Sequence, residues 1–384
     1  MAKETMNQET KMVTIWRYIH DDDEIHLKAR LGGLSEDENV QLRVSTCHNV
    51  KIDQVDKLAK ALARWINARW RLVLDLGYSE LTSVPESVWE LANLEELKID
   101  QSQLKTISPG IVKLAALKKF RFSGNPLGGF PEDVCKLDQL ETLHADFCRF
   151  SVLPSSFASL HNLLELHLGG NSFKQFPDVI CELRNLRELC IHSNKLSSLP
   201  QSFANLRELT FLNISNNRFK DFPSVVCELP TLWRLSTWGN RLSELPLAIT
   251  KLILLQYLHL QMNLFTSIPL FVGDLPQLSF FQFKGWFVQS FLFLVLTIGA
   301  DNPLQGPQSD LNDDDLLRFL QQRRVIPRLS AIIGGGFFCE ESNAWTQFLV
   351  RGLYDPRLFI FIFDFAFDFA LFDEEKSQKK LRLE

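Results

Sequence analysis

The sequence predicts an α/β solenoid: a curved array lined on its concave side by one parallel sheet, with short helical or irregular segments on its convex side. Three observations carry this reading. Pro85, Pro131, Pro154, Pro177, Pro200, Pro223, Pro246 and Pro269 fall on one 23-residue grid, and the single empty point, Ser108, has Pro109 a step late. Six residues before a grid point stands Asn125, Asn171, Asn194, Asn217, Asn240 or Asn263, with Ser79, Ser102 and Cys148 as substitutes. Ahead of that position lies an aliphatic pair such as Leu74/Leu76, Leu97/Ile99, Leu166/Leu168, Leu189/Ile191 or Leu212/Ile214, with Phe120/Phe122 as the aromatic version. Nine copies in one register exclude coincidence, and such a period is the mark of stacked units.

Each element has a mechanical reason. In residues 1–50, an N-terminal extension, only Val40 to Val44 alternates as a strand does; the acidic run Asp21 to Glu24 lacks calcium-loop spacing and reads as a solvated turn. Residues 51–70 hold an amphipathic helix, expected over 53–69, with Val55, Leu58, Leu62, Trp65 and Ile66 on one face. It is placed as the N-terminal cap of the array. From 71 to 308 about ten repeats follow. Each aliphatic pair puts two side chains on one side of a short strand and leaves its neighbours on the other. The Asn stands where the strand turns away, and its amide can cap backbone groups that a buried turn would otherwise orphan. The Pro opens the convex segment, where a fixed φ and a missing N–H suit a first helical turn. One repeat cannot bury its own apolar face, so neighbours must supply the cover.

A finer period of 46 residues is superimposed. Four residues after the grid point, Cys135, Ala158, Cys181, Ala204 and Cys227 alternate, which marks a duplicated double unit and reads as small buried hydrophobes. The array breaks at 285–300 (GWFVQSFLFLVLTIGA). Excising those residues joins Phe281-Gln282-Phe283-Lys284 to Asp301-Asn302-Pro303-Leu304, in parallel with Phe120 to Leu127, so the segment interrupts a tenth repeat. A mis-spliced or unspliced segment is preferred over a membrane anchor, since the apolar run falls short of the ~20 residues of a span, and over a real buried or partner-facing insertion. A C-terminal capping helix is expected over 309–324, with Asp313 to Asp315 early and Arg323 and Arg324 late. The tail, 325–384, carries alternating Phe359, Phe361, Phe363, Phe365, Phe367 and Phe369 and follows no usable rule.

A representative copy, Leu186-Arg187-Glu188-Leu189-Cys190-Ile191-His192-Ser193-Asn194-Lys195-Leu196-Ser197-Ser198-Leu199-Pro200, resembles the 23-residue intracellular form of the leucine-rich repeat, L-x-x-L-x-L-x-x-N-x-L-x-x-L-P. The resemblance covers residues 71–284 and resumes at 301–308. It is similar to the repeats of Ras-suppressor, Scribble-type scaffold and plant intracellular Ras-group proteins. That resemblance implies a protein-binding array and a partner in small-GTPase signalling or cell polarity.

Composition narrows the function class. Forty-one basic against 46 acidic residues leave a net −5, which argues against nucleic acid or anionic membrane as the main partner. Seven scattered Cys and a polar start without an apolar signal core suit a reducing, cytoplasmic setting. No phosphate-binding loop, nucleophile elbow, H-E-x-x-H or C-x-x-C occurs, so no enzyme and no cofactor are expected. The expected function is a monomeric, non-enzymatic adaptor or scaffold; the alternative is a membrane-tethered, receptor-like protein anchored by 285–300.

The binding surface can be read from the grid as the outward residues of the strands. Arg121, His144, His167, His192, Phe211, Arg234, Trp238, Tyr257 and His259 are its candidate contacts, with the aromatics around Arg234 as its centre, since buried aromatic and Arg side chains dominate protein interfaces. His144, His167, Cys190 and His192 fall on three adjacent strands, yet ladder spacing of ~4.8 Å against metal bonds of ~2.1 Å gives no firm case for zinc, and no metal site is expected.

Overall fold

The computed structural model of the protein describes residues 11–17, 40–46, 50–65, 70–265 and 269–283. Twelve parallel strands form one sheet in chain order. They are β1 (Lys11–Arg17), β2 (Val40–Thr46), β3 (Arg71–Asp75), β4 (Leu94–Lys98), β5 (Lys119–Arg121), β6 (Thr142–His144), β7 (Glu165–His167), β8 (Glu188–Cys190), β9 (Phe211–Asn213), β10 (Arg234–Ser236), β11 (Tyr257–His259) and β12 (Phe280–Gln282). Parallel neighbours in sequence order oblige the chain to cross back outside the sheet after every strand. From β5 onward a strand is three residues long, and its central side chain is fully buried: Phe120, Leu166, Leu189, Leu212, Leu235 and Leu258 have no exposure at all.

The N-terminal end differs from expectation in two respects. The strand expected at Val40 to Val44 runs to Thr46, and β1, which lies off the repeat grid, pairs with it from Lys11↔Val40 to Arg17↔Thr46. The helix expected over 53–69 is α1 (Ile52–Trp65), with Val55, Ala59 and Leu62 buried. It is not the end of the sheet. It is the crossover between β2 and β3, which pair in parallel from Gln41↔Arg71 to Ser45↔Asp75. Ser87 Oγ donates to Asp56 Oδ1 at 2.7 Å and ties α1 to the first repeat's crossover. At the other end, the insertion 285–300, the helix over 309–324 and the Phe-rich tail lie outside the described residues.

Each crossover from β3 to β12 contains a five-residue 3-10 turn, and in all but one Pro stands one residue before it, at the N-cap rather than within its first turn. Proline φ lies between −60 and −74° at these caps, and its carbonyl accepts the N–H three residues on, as Val134 N to Pro131 O at 3.1 Å. The fixed ring angle thus matches the cap, and the missing N–H is one that the cap does not use. Ser108 explains the empty grid point: its Oγ caps Gly110 N–H at 3.1 Å while Pro109 takes the first helical position.

The 46-residue period is a packing device. A turn built as Val134-Cys135 or Ile180-Cys181 alternates with one built on Phe157 or Phe203, all buried. Phe130 and Phe176, each one residue before a grid Pro, meet those phenyl rings edge-on at 5.2 and 5.3 Å in the following repeat. Large and small side chains thereby alternate along the crossover layer, and Cys135, Cys181 and Cys227 are free, buried thiols.

The Asn ladder closes the other edge. Asn194 Oδ1 accepts from Phe173 N–H at 3.0 Å in the preceding repeat, while its Nδ2 donates to Leu168 O, Ile191 O and His192 O at 3.0, 3.2 and 3.0 Å. Asn125, Asn171, Asn217, Asn240 and Asn263 repeat this pattern. One amide therefore satisfies backbone groups of two coils. Cys148 substitutes partially, with its thiol 3.4 Å from Phe122 O. Ser79 and Ser102 are too short, and their buried Oγ atoms have no partner among the described residues.

Candidate functional site

The residues flanking each buried strand centre face away from the crossovers and form ladder rows across the sheet. Two groups on this open face are built by register. The first row runs Phe211↔Arg234↔Tyr257↔Phe280 over β9 to β12. The Arg234 guanidinium lies 4.7 Å above the Phe211 ring and 6.0 Å from that of Tyr257. Tyr257 in turn meets Trp233 edge-on at 5.4 Å and Phe280 at 5.6 Å. Arg234 Nε is buried without a hydrogen-bond partner among the described residues. The arrangement is a cation held between aromatic faces, a geometry worth ~0.5–2 kcal/mol to an arginine and suited to presenting its remaining N–H groups to an acceptor. His259 lies against Phe280 at 5.1 Å, and burial, then the Arg234 charge, holds its pKa below the ordinary imidazole value. Trp238 sits on the turn after β10, 36% exposed and without ring contact among the described residues, so it borders this group rather than joining it.

The second group lies on β6 and β7. His144 and His167 are ladder partners, stacked at 3.9 Å with an interplanar angle of 5°. Glu165, two residues before His167 on the same strand, brings its Oε1 to 2.7 Å from His144 Nε2 and 3.2 Å from His167 Nε2. Only the first contact is a hydrogen bond. His167 Nε2 is buried and lacks a hydrogen-bond partner among the described residues, a condition that costs ~1–3 kcal/mol. Asp146 stands behind, its Oδ2 3.9 Å from His167 Nδ1, and its Oδ1 accepts Gly169 N–H at 2.6 Å. Burial, the largest cause, lowers the pKa of both imidazoles below the ordinary value. Burial alone would raise the Glu165 pKa, but the His144 hydrogen bond and the charges of His144, His167 and Arg121 outweigh it, and the net direction is down.

The remaining expected residues are separate from both groups. Arg121 is half-exposed and pairs with Asp100 at 3.4 Å. His192 Nδ1 lies 3.1 Å from Ser193 Oγ, with its ring over Gly169, where any Cβ would collide with the imidazole. Cys190, expected to face solvent, is 5% exposed, and burial pushes its thiol up to about 12. It is a short side chain in a row of longer ones. His144 is covered in the same way by its partner ring. Glu165, Asp146 and Trp233 were missed as site residues. Their stripes are legible from the grid, but which carboxylate reaches a neighbour's imidazole depends on side-chain length and rotamer.

Among the described residues, no helix is long and apolar enough to cross a membrane. The family model described as leucine-rich repeats (two copies) matches residues 184–227. No curated protein matches the chain. Among solved structures, a leucine-rich repeat protein of Leptospira interrogans, LIC12759, is 24% identical with a TM-score of 0.60, over 72% of this chain and 72% of that one. The ectodomain of the Arabidopsis thaliana membrane receptor kinase GASSHO1/SCHENGEN3, bound to CASPARIAN STRIP INTEGRITY FACTOR 2, is 22% identical with a TM-score of 0.54 over 71% of this chain, which spans 35% of that chain. An internalin (inlF) of Listeria monocytogenes is 17% identical with a TM-score of 0.50, over 69% of this chain and 90% of that one. At these identities the likeness is one of fold: the chain has the leucine-rich repeat solenoid fold, and residues 184–227 match the repeat model itself.

Proposed function

We propose that the open face of the sheet binds a folded protein partner, with the Phe211–Arg234–Tyr257–Phe280 row as the centre of contact and Trp233 and Trp238 at its border. The carrying observation is the Arg234 guanidinium held against two aromatic rings with its Nε unpartnered. A partner carboxylate would pair with the remaining N–H groups of that guanidinium, and exclusion of water by the surrounding rings would strengthen the bond. The leucine-rich repeat fold is an interaction module, which supports a non-enzymatic role. The finer reading is a monomeric cytoplasmic adaptor in a small-GTPase pathway, and it rests on the resemblance of the repeats to Ras-suppressor and Scribble-type proteins.

Proximity labelling in cells, comparing wild type with the Trp238→Ala/Tyr257→Ala double variant, tests the face. Loss of the main labelled protein in the variant is the expected result; unchanged labelling removes the aromatic row from the interface. Recovery that changes between GTP-analogue and GDP loading of the lysate is expected if the partner is a small GTPase or acts on one. Recovery indifferent to nucleotide sinks the GTPase reading and leaves the face untouched.

A further inference from the structure

We propose that His144, Glu165 and His167 form a site for a divalent transition-metal ion, zinc foremost. The three potential ligand atoms, His144 Nε2, Glu165 Oε1 and His167 Nε2, lie within 4.8 Å of one another. Around an ion bound at ~2.1 Å with tetrahedral angles, neighbouring donors sit roughly 3.4 Å apart. Glu165 Oε1 stands at 2.7 and 3.2 Å from the two nitrogens, so the shorter separation opens by about 0.7 Å on binding, and the stacked rings tilt out of parallel so that their in-plane lone pairs converge on the ion.

The backbone already provides the alignment. His144 and His167 are register partners on hydrogen-bonded strands, and Glu165 shares the face of His167 because it lies two residues away on β7. Two short strands in a continuous ladder cannot slide independently, so the donors are brought together by the fold itself. The buried, unpartnered His167 Nε2 is the second observation: a nitrogen oriented into the cluster with no hydrogen bond to explain it.

Asp146 supplies what a metal-bound imidazole needs on its far side. A carboxylate near Nδ1 favours the tautomer with its proton there and leaves Nε2 free to ligate. Its 3.9 Å separation from His167 Nδ1 closes to a hydrogen bond with a small movement, and the bond from Gly169 N–H fixes the carboxylate in place. Two imidazoles and one carboxylate suit zinc and its neighbours in the first transition row rather than magnesium or calcium, which take oxygen donors. Three protein donors leave a fourth position for water. Cys190, at the end of β8, and His192 beyond it stand outside the cluster.

The test uses the purified full-length chain stripped with a chelator and then titrated with Zn²⁺ or Co²⁺. One ion bound per chain and visible cobalt d–d bands of a four- or five-coordinate nitrogen–oxygen site are expected. His144→Ala and His167→Ala should each weaken affinity ~100-fold or more, Glu165→Gln ~10–100-fold, and Asp146→Asn about tenfold, the range seen when ligands and their orienting partners are removed. His192→Ala and His259→Ala should leave the titration unchanged. Circular dichroism of each variant separates lost binding from lost fold, and Glu165→Gln, which keeps the side chain's shape, remains informative if a histidine variant unfolds. Absence of stoichiometric binding, or affinity that folded Glu165→Gln and His167→Ala retain in full, overturns the site. The partner-binding face is unaffected by either outcome.

Discussion

At the scale of single residues, each repeat is closed by two adjacent positions of opposite legibility. The second is the Asn, whose identity the backbone dictates because one side chain must accept one N–H and donate to two carbonyls of different coils. Asn194→Ala leaves Phe173 N–H buried and unpaired, while Leu168 O keeps its bond from Asn171 Nδ2, and a loss of ~1–3 kcal/mol for the one orphaned group is expected, measured by urea denaturation. The first position, just before the Asn, adopts the left-handed conformation in all nine described repeats: Tyr78, Gln101, Gly124, Phe147, Gly170, Ser193, Asn216, Gly239 and Met262, with φ from 51 to 73°. Only three are Gly, and for this reason the sequence concealed the position; the strain is borne by whatever side chain the surface tolerates. Ser193→Gly should therefore stabilise the fold by up to ~1 kcal/mol, and Gly170→Ala should destabilise it by ~1–2 kcal/mol because the new methyl group also meets the Phe147 ring. Equal stabilities for Gly170→Ala and wild type would contradict the assigned backbone.

At the scale of elements, the crossover layer carries information the strands do not. The strand centres are nearly uniform Leu and specify stacking without specifying which repeat follows which. The alternation of Phe turns with Cys turns adds that order, since Phe176 needs the ring of Phe203 in the next repeat and finds none in a Cys-type turn. Phe203→Ala should cost ~3–5 kcal/mol, the range for emptying a buried aromatic site, against less than half that for Cys181→Ala. The thiols follow from the same packing. Burial pushes Cys148 and Cys190 up to about 12 and Cys181 and Cys227 up to about 11, so alkylation at pH 8 followed by mass spectrometry should leave these four unmodified in the native chain and modify them in denaturant. Rapid native labelling of any of the four would show that its repeat opens locally. The strand–turn repeat was legible because period and side-chain chemistry coincide. β1 was not, because its Val13/Ile15 pair stands off the 23-residue grid and has no Asn behind it. The role of α1 was legible only in part: amphipathicity marks a helix with one buried face, but not whether strands continue beyond it.

At the scale of the whole molecule, the open face is divided by chemistry, with mixed charge and histidine over β5 to β7 and an aromatic row over β9 to β12. In a solenoid each repeat touches only its neighbours, so a perturbation in one repeat is transmitted as a change in two interfaces. His259 in β11 tests this coupling through pH. Its folded pKa is lowered, first by burial and then by the Arg234 charge, so the folded state binds the proton less readily than the unfolded chain does. Above the unfolded imidazole pKa of ~6.5 both states are neutral and the full stability is present; as pH falls below it the unfolded chain gains the proton first, and stability is lost progressively until the folded pKa is passed. Thermal melts between pH 7.5 and pH 5 (a working range of roughly one to two units about that pKa) should therefore show a falling midpoint on acidification, with a shallower fall in His259→Gln. Hydrogen exchange should place the extra opening of the wild type in β10, β11 and β12, the strands paired with or next to that imidazole. A midpoint that falls equally in the variant, or exchange that quickens first in β5, would mean that the aromatic end of the face does not hold its histidine out of water.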